Sequence, residues 1–170
     1  MKTTQLNLRI WPDKILKKKC KEVVEVNPQI RELLNKMYVL MKKKGGIGLA
    51  ANQAGLDLKL VVIDIPPFKT NKNIVFKLIN PKILKKEGRR KSEEGCLSFP
   101  NLSLTIKRAE RVWVEALDER GKILNLETKG ILSIVLQHEI DHINGIVFID
   151  RLSFWERVKI LPKLRKLKLN

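Results

Sequence analysis

The amino-acid sequence predicts an α+β fold: antiparallel sheets packed around a central helix, with one further helix on the N-terminal side and another at the C-terminus. Three observations carry this. Apolar residues recur at helical spacing early in the chain, β-branched segments broken by Pro and Gly fill its middle, and the helical period returns after Gly130. No internal repeat or linker is visible, so residues 1–170 read as one continuous domain, long enough for one hydrophobic core.

A short helix is expected over 13–20, after Pro12. The next starts at Asn27-Pro28, where Asn suits the N-cap and a first-turn proline sacrifices no helical hydrogen bond. Ile30, Leu33, Leu34, Met37, Tyr38 and Met41 form its core face, and Gly45-Gly46 ends it. Residues 60–65 make a β-branched strand stopped by Pro66-Pro67, and 74–80 another, closed by Pro81. Residues 111–117 and 122–127 flank Asp118-Glu119-Arg120-Gly121 as a hairpin. After Gly130, Ile131, Ile134, Val135, His138 and His142 share one helical stripe, with Gly145 as the stop. A last helix opens at Ser153, where Ser153-Phe154-Trp155-Glu156 is a capping box, and Pro162 is expected to kink or divide it.

Composition narrows the partners. With 44% hydrophobic and 31% charged residues the chain is globular, which argues against disordered and fibrous classes. Its 35 Lys and Arg outnumber 18 Asp and Glu, for a formal net charge of +17. Such a field favours an anionic partner: nucleic acid, a ribonucleoprotein or a lipid surface. Local excesses lie at 82–91 and at 151–170, where Arg151, Arg157, Lys159, Lys163, Arg165, Lys166 and Lys168 stand against Glu156. A solvated basic face is the plainer account of that run, and a docking surface the sharper one. Two cysteines make no disulfide framework, and Cys20 reads as a small buried apolar residue. The stretch from Met1 to Asn7 has neither an apolar signal core nor arginine-rich transit character, and no run approaches the length of a membrane span. A cytoplasmic, reducing compartment is expected, which would keep Cys96 free as a thiolate.

The chain's 2 histidines stand in Gln137-His138-Glu139-Ile140-Asp141-His142. On a helix, H-E-x-x-H turns both imidazoles toward one metal ion. The intervening Glu then faces a water on that ion and can act as its general base. Hydrogen-bonded core histidines are the bland alternative; the paired spacing, the Glu and the apolar stripe favour a metal. No third His exists. Phe148 occupies the position where the metzincin pattern has its third ligand, and Glu156, the only Glu after His142, is used by the helix cap. Cys96, in Glu94-Gly95-Cys96-Leu97-Ser98, is the best remaining ligand. Two His and one Cys suit a borderline-soft divalent ion, zinc on chemistry alone, and leave a fourth position for water. In Gly45-Gly46-Ile47-Gly48-Leu49-Ala50-Ala51-Asn52-Gln53, small residues let backbone approach a ligand closely. A helix cap followed by a small buried strand explains those glycines but not Gln53, whose amide can donate to a developing oxyanion. A dinucleotide loop fits poorly, because no strand precedes the segment.

Gly46-Ile47-Gly48-Leu49-Ala50-Ala51-Asn52-Gln53, Glu94-Gly95-Cys96-Leu97-Ser98 and Gln137-His138-Glu139-Ile140-Asp141-His142 together resemble the three signature motifs of the peptide deformylase family, in order. The similarity runs from about Ile10 to the C-terminus, and the Cys-Leu-Ser form and C-terminal helix resemble the bacterial type-1 subgroup. The resemblance implies removal of the formyl group, as formate, from the N-formyl-methionine of newly synthesised polypeptides. It implies a single Fe2+, with Zn2+, Ni2+ or Co2+ as substitutes, held by Cys96, His138 and His142. Water activated at the metal would attack the formyl carbon, with Glu139 as general base and then as acid to the leaving amine. Gln53 and the Leu97 backbone N–H would form the oxyanion hole, where one donor is typically worth ~3 kcal/mol.

The same resemblance places Ile47, Ile131, Ile134 and Val135 in a methionine pocket, although all four also read as core. The peptide would lie along Ile47-Gly48 and Gly95 as an added strand. Glu94 and Arg108 are expected to pair and hold the Cys96 loop. Ser103 stands where many bacterial relatives carry an Arg near the substrate, so no charge contact is carried over there. The basic C-terminal helix matches a region that, in the family, docks near the ribosomal exit tunnel, a contact that would weaken as salt rises. A monomer is expected. Two rivals remain: a Cys-His-His metallohydrolase acting on another N-acyl group or peptide bond, and a ribosome- or nucleic-acid-binding protein without activity. Cleavage of a formyl but not an acetyl group separates the first. The joint presence of Gln53, Cys96, Leu97, His138, Glu139 and His142 argues against the second.

Overall fold

A computed structural model of the chain describes residues 5–67 and 73–167; Lys168 of the basic run and Met1 to Thr4 lie outside the described residues. Helix α1 (Pro28–Lys43) starts where Asn27 accepts the Ile30 N–H at 3.0 Å and Pro28 fills the first turn. It ends in a Schellman pattern: the Gly45 N–H meets the Lys42 carbonyl and the Gly46 N–H the Met41 carbonyl, each at 3.0 Å, with Gly45 at φ +72°. Ile30, Leu34, Met37, Leu40 and Met41 are its buried face, packed with Leu49, Leu60, Val62 and Ile79. The helix expected over 13–20 is shorter, a 3-10 turn over Lys14–Lys17 capped by Asp13. Lys18 is already extended, because Lys19 and Lys21 are drawn into isolated bridges with Asn144 and Leu58.

Among the described residues seven strands follow: β1 (Gly48–Ala50), β2 (Leu60–Ile65), β3 (Ile74–Glu87), β4 (Arg90–Cys96), β5 (Phe99–Arg108), β6 (Arg111–Leu117) and β7 (Ile123–Lys129). β1-β2-β3-β6-β7 form an antiparallel five-stranded sheet, and β4 and β5 pair as a separate two-stranded one. β3 does not stop at Asn80. Proline has no N–H for a ladder, so Pro81 is accommodated as a bulge: pairing with β6 shifts register between Ile79 and Lys82, with Asn80 at φ +51°. The Asn80 amide accepts from the Val23 N–H at 2.9 Å and donates to its carbonyl at 2.8 Å, which stabilises that bend. The Cys96 segment, expected as a loop, is instead the end of β4, turning through Leu97-Ser98 into β5.

Helix α2 (Gly130–Ile143) is buried continuously from Ser133 to Ile143. Val135, Leu136, Ile140 and Ile143 pack with Val61, Ile63, Leu78, Val112 and Val114 of the larger sheet. Gln137 fixes its rotation, accepting from the Ala109 N–H and donating to the Ala109 carbonyl, both at 2.9 Å. A second Schellman pattern at Gly145, φ +74°, ends it. Phe99, Leu102, Leu104 and Ile106 of β5 share a third apolar cluster with Leu16, Phe148 and Ile160. Helix α3 (Phe154–Leu167) opens with the expected capping box, the Ser153 N–H donating to Glu156 at 2.8 Å. Pro162 does not divide it. Only Ile160 of α3 is buried, so the carbonyl left without a partner by Pro162 lies on a solvated helix.

Candidate metal centre

The helical spacing of α2 brings His138 Nε2 and His142 Nε2 to 3.2 Å from each other. Cys96 Sγ, at the end of β4, lies 3.2 Å from His142 Nε2, and the three ligand atoms are all within 4.8 Å of one another. Bonds of ~2.0–2.3 Å in a tetrahedral site put neighbouring donors ~3.3–3.6 Å apart, so this donor set fits one borderline-soft divalent ion. A further sign is Glu139 Oε2, buried with no hydrogen-bond partner beside the cluster.

A buried charge network supports these side chains. Glu94, the one buried residue of β4, places Oε2 2.9 Å from His138 Nδ1. That contact orients the ring so that Nε2 faces His142. Arg108, on β5, grips both Glu94 oxygens at 2.8 and 2.9 Å and reaches Asp141 on α2 at 2.5 Å. Arg151 closes the network on Asp141. Burial opposes ionisation of Glu94, but hydrogen bonds from Arg108 and His138 outweigh it and hold the carboxyl below its usual range. Burial likewise disfavours the Arg108 charge, and Glu94 and Asp141 restore it.

Glu139 is governed by its surroundings differently. Burial pushes its carboxyl up to about 7, with His138 and Arg108 acting in the opposite direction. Gly48 faces it so closely that a Cβ there would collide with the carboxylate, which gives that glycine a steric reason. Gln53 is buried, its Oε1 accepting from the Ala50 N–H at 2.8 Å. Its Nε2 therefore points to Ser98 Oγ at 3.2 Å and Cys96 Sγ at 3.4 Å. Leu97 follows the cysteine and packs over Gly46, where a Cβ would meet the leucine side chain at 2.6 Å.

A cavity of about 910 Å³ opens onto these groups. Ile47 and Gly48 form one wall, Gly95, Cys96 and Leu97 another, and Ile131, Val135, His138 and Glu139 the floor. Gln53 also lines it. Ile134 does not: it is buried outside the cavity, because only the Ile131–Val135–His138 edge of the α2 stripe faces the opening. His142 lies behind that edge, also buried. Ser103 Oγ donates to Glu93 at 3.1 Å on the cavity rim.

The structure adds Asp141, Arg151 and Ser98 to the site: the first two extend the Arg108 network, and Ser98 Oγ accepts from Gln53 Nε2. Asp141, a charged residue inside the H-E-x-x-H stretch, is the one sequence signal among them; Ser98 and Arg151 carry none that spacing reveals.

A sequence profile for polypeptide deformylase matches residues 5–158. The peptide deformylase of Aquifex aeolicus is 43% identical over 158 residues, spanning 93% of this chain and 94% of its own. Among solved structures, a peptide deformylase from Legionella pneumophila superposes with a TM-score of 0.86 at 40% identity, covering 96% of this chain and 95% of that one. One from Synechococcus elongatus, in complex with actinonin, gives 0.87 at 35% identity over 98% of this chain and 89% of that one. The profile match takes in the glycine segment, the cysteine strand and the histidine helix alike, and with it this chain belongs to the polypeptide deformylase family.

Proposed function

We propose that this chain, acting as one catalytic domain over 1–170, hydrolyses the formamide of N-formyl-methionine on newly synthesised polypeptides, releasing formate and a free amine. The convergence of Cys96, His138 and His142 with Glu139 and Gln53 at the end of one cavity carries this reading. Those three ligands would hold Fe2+, with Zn2+, Ni2+ or Co2+ as substitutes. When bound there, a divalent ion would supply Lewis acidity and make the attacking water more acidic. Glu139 Oε2, otherwise unpartnered, is placed to take a proton from an attacking water and to return it to the departing nitrogen. Gln53 Nε2 and the Leu97 N–H donate to the formyl oxygen as it gains charge. Ile47, Ile131 and Val135 offer the methionine side chain an apolar wall, while Ile134 supports them from within the core. The backbone edges at Ile47-Gly48 and Gly95 would pair with the peptide as an added strand.

The same reading extends to setting. Among the described residues no helix is long and apolar enough to cross a membrane, and a cytoplasmic monomer is proposed. Helix α3 exposes Arg157, Lys159 and Lys163 beside Phe154 and Trp155, which are 69% and 73% exposed. That surface supports a transient ribosome contact, expected to sediment with ribosomes at low salt and to be released as salt rises. Actinonin, held by the Synechococcus elongatus relative, is expected to block formate release here.

The deciding experiment is formate release from a formyl-Met peptide by protein purified without oxygen, beside Glu139→Ala and an acetyl-Met control. Formate from the wild type alone, with the acetyl peptide intact, supports the reading. Silence from metal-loaded wild type sinks it.

A further inference from the structure

Beside the catalytic cavity runs a second cleft, of about 770 Å³, between the segment 5–10 and one stripe of α1. Helical spacing sets the stripe. Glu32, Lys36, Val39 and Lys43 recur every three or four residues, on a face distinct from the Ile30, Leu34, Met37 and Met41 face in the core. Val39 is 65% exposed at the middle of it, with Leu6, Leu8 and Leu40 alongside. Glu32 and Lys36 neutralise each other at 2.6 Å, Asn35 accepts from Lys77 at 2.8 Å, and Lys42 is turned away to Asp64. Lys43 and Lys44 have no carboxylate partner among the described residues. The cleft is thus apolar in its middle and positive at the Lys43-Lys44 end.

That end meets the catalytic cavity, since Leu8, Ile10 and Lys44 line both. From Gly48, which abuts Glu139, back to Lys44 is a stretch of chain that spans at most ~14 Å when extended. A peptide laid along that wall has used its first three or four residues, at roughly 3.3–3.6 Å each, when it reaches Lys44. A nascent chain is longer, and its next residues emerge where the two hollows join.

We propose that the α1 cleft is an extended subsite for the substrate polypeptide, taking roughly its fourth to eighth residues and favouring apolar and acidic side chains. This rests on the deformylase reading. Apolar residues would cover Val39, and carboxylates would pair with the exposed Lys43 and Lys44.

The test is kcat/KM for formate release from a formyl-Met tripeptide and from formyl-Met octapeptides whose last five residues mix Leu with Asp, or Leu with Lys. Wild type is compared with Val39→Asp and Lys43→Glu, both changes on an exposed helix face. The Leu/Asp octapeptide is expected to exceed the tripeptide by about five- to tenfold, a gain that shrinks with salt and is absent from the Leu/Lys octapeptide. Both variants should remove the gain and leave tripeptide turnover unchanged. Equal kcat/KM for all peptides, or a gain that survives both variants, overturns the subsite while the deformylase reading stands. A concentration-dependent rise in mass abolished by Val39→Asp would assign the cleft to a second copy and also overturn it. Failure of wild type on the tripeptide overturns both readings together.

Discussion

Glu94 and His138 stand 44 residues apart in the chain, yet a Glu94 carboxylate oxygen lies 2.9 Å from Nδ1 of His138. The contact exists because β4 ends beside the middle of α2, and Arg108 holds the carboxylate in place from the paired strand. It leaves Nε2 as the ring nitrogen free to face a metal, as an outer partner of a ligating histidine commonly does.

Replacing Glu94 by Gln keeps an acceptor near Nδ1 but removes the charge that orients it. Metal affinity is expected to fall ~10- to 100-fold, read by competition with a chromogenic chelator. Glu94→Ala should also lose stability, because Arg108 is then buried with only Asp141 as its counter-charge. Unchanged chelator competition in Glu94→Gln would remove this contact from any metal-holding role.

Gly48→Ala introduces a methyl group that collides with the Glu139 carboxylate. Formate release should drop by ~10²-fold or more, as for displacement of a general base, while bound metal per chain, measured by atomic emission, stays at the wild-type level. Full activity in this variant would mean that Glu139 can move away without consequence.

Asp64 ties α1 to β2: it accepts from Tyr38 at 2.7 Å, Lys42 at 2.9 Å and Asn73 at 2.7 Å. Burial alone would raise its pKa, but the hydrogen bonds from Lys42, Tyr38 and Asn73 hold it below the ordinary aspartate range. A carboxyl depressed by folding contributes stability above its unfolded value, ~3.9, and loses that contribution as pH falls through the folded value. Urea melts at pH 6, 4.5 and 3.5 should therefore show wild type losing its advantage over Asp64→Asn toward the lowest pH. A difference between the two that is constant with pH contradicts the assignment.

The two thiols should differ sharply once metal is stripped. Burial, with Asp57 nearby, pushes the Cys20 thiol up to about 11, so it is protonated at pH 8 and sealed in the core. Cys96 is half-buried and lines the cavity. Iodoacetamide at pH 8 in native apo-protein is expected to modify Cys96 and spare Cys20, as read by peptide mass mapping. Equal modification of both would show that the apo-protein opens its core.

Much of this protein is legible from local pattern. Asn27-Pro28, Gly45-Gly46, Ser153 to Glu156 and Gly145 mark helix ends because caps act over three to six residues, and the structure uses each of them. With no other histidine to share the task, the i, i+4 pair His138 and His142 leaves Cys96 as the natural third donor, and the structure brings the three together. The β4–β5 hairpin escaped that reading. The alternation of Leu102, Leu104 and Ile106 with polar residues was a usable sign of β5, but Arg90 to Glu94 carries none, since β4 buries a single carboxylate. Ile134 shares a helical stripe with the cavity-lining residues and still faces the core, because a stripe is wider than the opening it borders.

What the sequence alone determined, then, was the core face of α1, the helix-end signals at Asn27, Gly45, Gly145 and Ser153, and the shared direction of His138 and His142, all consequences of chemistry within a few residues of one another. Only the tertiary structure decided that Arg108 bridges Glu94 to Asp141, that Gly48 abuts Glu139, and that Gln53 points its amide at Ser98 and Cys96. Those contacts join residues 14 to 91 positions apart in the numbering, counting from Glu94 to Arg108 and from Gly48 to Glu139. Strand register and the seating of α2 on the sheet set such pairings, and short-range spacing encodes neither.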